Sequence, residues 1–291
     1  MQFLYSMHVD LVYHALTYLK VDNASNGYCP DYIEKMALEK TSLPYSMEEA
    51  MHSLQEYYNA HFQRLIMINF LPFQCTHYEE MKQLLLGFPH FTEEDKEHFV
   101  EPFLRALDQE ASFYFPYWAA LHERRERERM EWEQRLESVF QRYMPVFQPF
   151  GKPLVLGLSY SIRLNGRGFG RDDCFFAFVP YPTSDEGLWD TFFQAFHEYT
   201  HQFTDHLVSN ISMEDGTHSL SEYIVLVADY YLVRALDPDQ VSRYLDWISR
   251  ITGYSGKMVT EEAFLEAFPL DPELDQALKS LLREISSSLA V

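Results

Sequence analysis

The chain has 291 residues, 47% of them hydrophobic and 23% charged, which excludes wholesale disorder and allows one large domain or two modest ones. Its 23 Lys and Arg stand against 44 Asp and Glu, and the formal charge of -21 excludes a broad nucleic-acid footprint and disfavours anionic lipid. Cys29, Cys75 and Cys174 form no C-x-x-C pair and are odd in number, as expected of a protein in the reducing cytoplasm rather than a disulfide scaffold. The first five residues lack a basic region, so no cleaved signal peptide is expected. The longest apolar stretches, 65–73 and 223–233, are too short for a membrane span.

In chain order, the first half is expected to be helical. Residues 3–19 carry apolar side chains at helical spacing. Ser46 with Glu48 and Glu49 marks a helix start leading into 50–71, and Thr92 to Asp95 looks like a cap before a helix reaching about Leu107. Residues 110–143 could form one long helix, whose alternating charges around 123–129 supply i,i+4 pairs on a solvated face.

Pro145, Pro149, Gly151 and Pro153 then mark a boundary. Beyond it, 154–161 and 174–179 are short and apolar, as strands are. The glycine cluster from Asn165 to Gly170 lies between them, which favours a hairpin or irregular loop over a phosphate cradle. Helices are expected again at 188–208, 219–235 and 238–251, with two more towards the end. The expected fold is therefore mainly α (α+β), with a helical region 1–147 followed by a region 148–291 that holds a small sheet.

The chemistry centres on His197-Glu-Tyr-Thr-His201, an H-E-x-x-H motif. Histidines at i and i+4 share a helical face, so both imidazoles can bind one ion. Glu198 stands beside the first of them, near enough to take a proton from water at that ion. Phe192, Phe196, Tyr199, Phe203 and Leu207 form an apolar stripe, while Asp190, Gln194, His197, Glu198, His201 and Asp205 occupy the other side. An ordinary amphipathic helix with a polar outer face would show the same pattern.

A third ligand is sought downstream. Glu222 follows His201 after twenty residues, in a segment apolar nearly all round, where an unpaired carboxylate is costly. Ser219 and Glu222 also fit a capping box, unless the helix starts near Asp215 or Thr217. Asp229, seven residues on, could orient a ligating histidine or satisfy a core hydroxyl. His206 and His218 fit a surface role better than a ligand role. His8, Asp10 and His14 suit a structural role on the first helix; the alternative is that this helix covers the cleft and adds a histidine.

His197, Glu198, His201 and Glu222 together resemble the gluzincin clan of zinc metallopeptidases, the thermolysin-like group with H-E-x-x-H and a more distal glutamate. The resemblance implies a zincin-like catalytic region at 148–291 with one Zn2+ per chain, held by His197, His201 and Glu222. It implies that Glu198 is general base and proton shuttle while zinc-bound water attacks a peptide carbonyl. The substrate would be a peptide or unfolded protein segment, paired to a sheet edge that 174–179 could supply. Many members carry an aspartate four residues after the third ligand, where this chain has Leu226, so Asp229 is only a possible substitute. His218, Tyr223 and Tyr230 are candidate oxyanion stabilisers. The rival readings are a non-peptidase zinc hydrolase or inactive zincin scaffold, and a non-catalytic helical interaction protein with an accidental motif.

Overall fold

The computed structural model describes residues 1–19, 30–40, 46–147, 151–163, 166–208, 217–252 and 260–287. Strand β1 (Gln2–Leu4) precedes α1 (Met7–Leu16), α2 (Pro30–Glu39), α3 (Met47–Ala60), α4 (Phe62–Leu65), α5 (Tyr78–Gly87) and α6 (Glu93–Asp95). A π-helical turn, Lys96–Val100, joins α6 to α7 (Glu101–Arg124), and α8 (Glu126–Phe147) follows. Then come β2 (Leu154–Ser159), β3 (Arg167–Gly170), β4 (Phe175–Pro180), α9 (Asp185–Val208), α10 (Thr217–Leu236), α11 (Val241–Thr252), α12 (Glu261–Ala267) and α13 (Pro272–Ser287). The protein is mainly α with one small sheet.

Local chemistry sets several of these starts. The Ser46 hydroxyl accepts the Glu49 N–H, and Thr92 forms a reciprocal capping box with Asp95. The sheet order is β1-β2-β4-β3, with β1, β2 and β4 parallel and β3 antiparallel at one edge. Side chains alternate across it. Leu154, Leu156, Leu158, Phe175, Ala177 and Val179 point into a core built with α8 to α13, while Val155, Phe176 and Phe178 meet a second core built from the N-terminal helices. The sheet thus separates two helical layers, with α9 lying on one face and α1 on the other.

Three expectations need correction. Helix is expected from residue 3, but Gln2–Leu4 pairs with β2 as a strand and α1 starts only at Met7. The expected single helix over 110–143 breaks at Arg125, whose backbone leaves the helical region. That break lets α7 pack on α1 and α3 while Leu136 to Phe147 of α8 pack under α9. The helix expected over 50–71 ends at Ala60 and continues as short turns through Gln74.

His8, Asp10 and His14 are tied into the N-terminal layer. His8 Nε2 donates to the Cys75 carbonyl at 3.1 Å, and His14 Nε2 donates to Glu110 Oε1 at 3.0 Å, a carboxylate that Lys40 also pairs. Asp10 accepts from the Trp118 indole N–H at 2.8 Å. Burial pushes the Asp10 carboxyl up to about 6. The folded state therefore keeps a proton that the unfolded chain has lost, so stability falls as pH rises from about 4 to about 6 and the deficit then stays constant. Asp10→Asn, which retains an acceptor for Trp118, should be more stable than the parent by roughly 3 kcal/mol near pH 7.5 and no more stable near pH 4. Urea unfolding at the two pH values checks this; an equal gain at both would remove ionisation as its cause.

Candidate metal centre

Helix α9 runs antiparallel to β4, to which Thr191 ties it by donating to the Pro180 carbonyl at 2.9 Å. Its aromatic stripe is rooted in the core: Phe192, Phe196, Tyr199 and Phe203 are all buried against Tyr143 and Phe147 of α8. Phe193 packs on Tyr244 and Trp247 of α11, and Arg250 of the same helix grips Asp190 with two bonds of 2.7 Å. These contacts fix the rotation of α9 and leave His197, Glu198 and His201 on the side shared with α10 and β3.

The third acid arrives from α10. That helix begins at Thr217, which makes Glu222 its sixth residue and removes the capping-box reading, since Ser219 is not the cap. His197 Nε2 lies 3.1 Å from Glu222 Oε2, and His201 Nε2 lies 3.7 Å from Glu222 Oε1. One ligand atom from each of the three residues falls within 4.8 Å of the other two. A tetrahedral zinc ion with bonds of about 2.0–2.2 Å holds neighbouring donors roughly 3.3–3.5 Å apart. Two imidazole nitrogens and a carboxylate at these spacings fit such an ion in both donor type and size.

The outer contacts favour ligation. His197 Nδ1 donates to Asp229 Oδ2 at 3.2 Å, and His201 Nδ1 donates to Asp205 Oδ1 at 2.9 Å. With each Nδ1 engaged, both Nε2 atoms turn toward Glu222. Asp229 is itself held by the Thr200 hydroxyl at 2.6 Å, and Asp205 by the Ser221 hydroxyl at 2.9 Å. Burial lowers the basicity of His197, but its hydrogen bonds to Asp229 and Glu222 outweigh it and hold the ring well above its ordinary pKa. A cation held at this point would take the place of any proton on His197 Nε2.

Burial falls differently from the sequence expectation. The Glu222 side chain is 36% exposed, whereas that of Asp229 is fully buried. The costly buried acid of α10 is therefore the one that orients His197, and Glu222 stands where solvent can reach it. Glu198 sits beside the pair, and burial raises its pKa, with the charges of His197 and His201 opposing.

Other candidates separate. Gln194 is buried and donates to the Arg163 carbonyl, and His206 lies on the exposed side of α9. Tyr230 is buried against Phe264 with its hydroxyl beside Glu261 and Arg234, and the Tyr223 ring meets Phe268. The His218 side chain lies outside the described residues. Strand β4 is not a sheet edge, because β2 and β3 pair with both of its sides; among the described residues the edges are β1 and β3, and β3 is the one beside Glu198. The charge of Arg167 on β3 also lowers the Glu198 pKa, after those of His197 and His201, and its guanidinium donates to Asn69 Oδ1 at 3.3 Å from the N-terminal layer. Asp205 was legible as an i,i+4 partner of His201, whereas nothing in the spacing singled out Arg167.

Comparisons with protein-family models, with curated proteins and with solved structures give no match to this chain.

Proposed function

We propose that the protein is a zinc-dependent metallopeptidase of gluzincin type, with His197, His201 and Glu222 as ligands and Glu198 as general base. One observation carries this reading: two imidazole Nε2 atoms converge on one carboxylate while a separate aspartate holds each Nδ1. An ordinary amphipathic helix has no reason to gather three acids around two histidines in this way. Zinc in that position would supply Lewis acidity, polarising a carbonyl and acidifying water.

The remaining chemistry belongs to the chain. Glu198 has a raised pKa from burial, which suits it to accept a proton from water and return it to the leaving amine. Strand β3 offers an outer edge where an extended peptide can add as another strand. A peptide or locally unfolded segment meets that requirement, whereas a folded surface does not. Cys75 and Cys174 are free thiols and no described helix is long and apolar enough to cross a membrane, and we place the protein in the cytoplasm.

The test is a metal analysis paired with cleavage of a mixed peptide library. Protein purified without added zinc should hold about one equivalent per chain and cleave peptides in a chelator-sensitive manner. Zinc without peptide cleavage would point to another hydrolase or an inactive scaffold. No metal at all would leave a helical interaction protein.

A further inference from the structure

Every second residue from Gly166 to Gly170 is glycine. The register of β3 shows which way they face. Gly168 pairs with Ala177 and Gly170 with Phe175, both in the core beneath α9, whereas Arg167 and Phe169 pair with Phe178 and Phe176 of the N-terminal layer. Since side chains alternate, the α9 side of this strand carries none.

Glu198 occupies the space so left. A Cβ on Gly168 would lie 2.5 Å from Glu198 Oε2, 3.1 Å from Glu198 Cβ and 2.9 Å from Phe175 Cζ. On Gly166 it would lie 2.9 Å from Glu198 Cγ and 3.1 Å from Oε1. On Gly170 it would meet only Phe175, at an ordinary 3.8 Å. Neither Gly166 nor Gly168 has a left-handed φ, so the requirement is room for a neighbour and not backbone freedom. Among the described residues no hydrogen bond reaches the Glu198 carboxylate, which leaves packing against β3 and the surrounding charges to set its place.

We propose that Gly166 and Gly168 are positioning residues for Glu198: bare β3 backbone seats this side chain and fixes its carboxylate beside His197 and His201. The kinetic consequence rests on the peptidase reading; the contact itself does not. The same strand would then align an extended substrate along its outer edge and the base along its inner face, so that one element sets the distance between the two.

The experiment compares the parent with Gly168→Ala, Gly166→Ala and Gly170→Ala, and repeats the first two substitutions in a Glu198→Ala background. Zinc content, Tm and peptide hydrolysis are measured for each. Gly168→Ala should keep about one zinc, lose at least about 100-fold in kcat with KM within about threefold, and Gly170→Ala should stay within about twofold of the parent. The Tm deficit of Gly168→Ala should shrink by half or more once Glu198 is truncated, because the clashing atoms are gone. Gly166→Ala, with milder contacts, carries the comparison if Gly168→Ala does not fold. Turnover within about threefold of the parent, or a Tm deficit unchanged by Glu198→Ala, overturns the proposal. If the parent binds zinc yet cleaves nothing, the peptidase reading fails and the Tm comparison alone decides the seat.

Discussion

Glu198→Gln should keep its zinc and lose peptide turnover by about 10²–10⁴-fold. The amide preserves the volume and the packing of Glu198 against β3 but cannot take a proton from water. None of the three proposed ligands changes, and the two nearest, His197 and His201, keep their Asp229 and Asp205 bonds. Metal content should therefore stay at about one equivalent per chain. His201→Ala is the contrast: it deletes a donor as well as the partner of Asp205, so both zinc and turnover should go. Paired metal analysis and peptide kinetics read the two variants side by side. If Glu198→Gln cleaves as fast as the parent, the mechanism is wrong even with zinc in place.

The contrast between the two variants follows from how the site is built. Its proposed ligands come from mid-α9 and the second turn of α10, helices whose faces are set by large buried aromatics. Both helices were legible in the sequence because each rule that defines them acts locally. Apolar spacing placed the Phe192 to Phe203 stripe, and the i,i+4 rule put His197 and His201 on one face. The Thr92 and Ser46 caps were equally plain.

What stayed hidden depends on contacts far apart in the chain. Residues 2–4 become a strand only because the edge of β2, some 150 residues later, offers them pairing. The break at Arg125 has no local breaker; it divides a charge-paired run so that its two halves can serve different layers. The glycine cluster pointed to a hairpin or irregular loop, and β3 is the first strand of an antiparallel hairpin with β4; what the cluster did not reveal is that its period of two leaves the inner face of that strand bare. Asp229 was open between two roles, and the structure shows it in both at once, on His197 and on the Thr200 hydroxyl.

Those two hydrogen bonds make Asp229 the acid whose loss should most weaken the proposed zinc binding without touching a proposed ligand. Asp229→Asn can still present an oxygen to His197 Nδ1 and its amide to Thr200, whose hydroxyl also donates to the Phe196 carbonyl at 2.9 Å. It removes charge but keeps geometry, so zinc affinity should fall by about tenfold. Asp229→Ala removes both. His197 Nδ1 is then left unpaired in a buried site, the ring is free to rotate or change tautomer, and affinity should fall by about 100-fold. The unmatched polar groups should also lower stability by about 1–3 kcal/mol even without metal. Competition against a chromophoric chelator, with urea unfolding of the metal-free forms, separates these effects. A gradient from parent to Asn to Ala would show that Asp229 acts on zinc through His197, in part by charge and in part by holding the ring. Equal zinc affinity in the parent and Asp229→Ala would mean that His197 is oriented by α9 packing alone, and that the acid serves only Thr200.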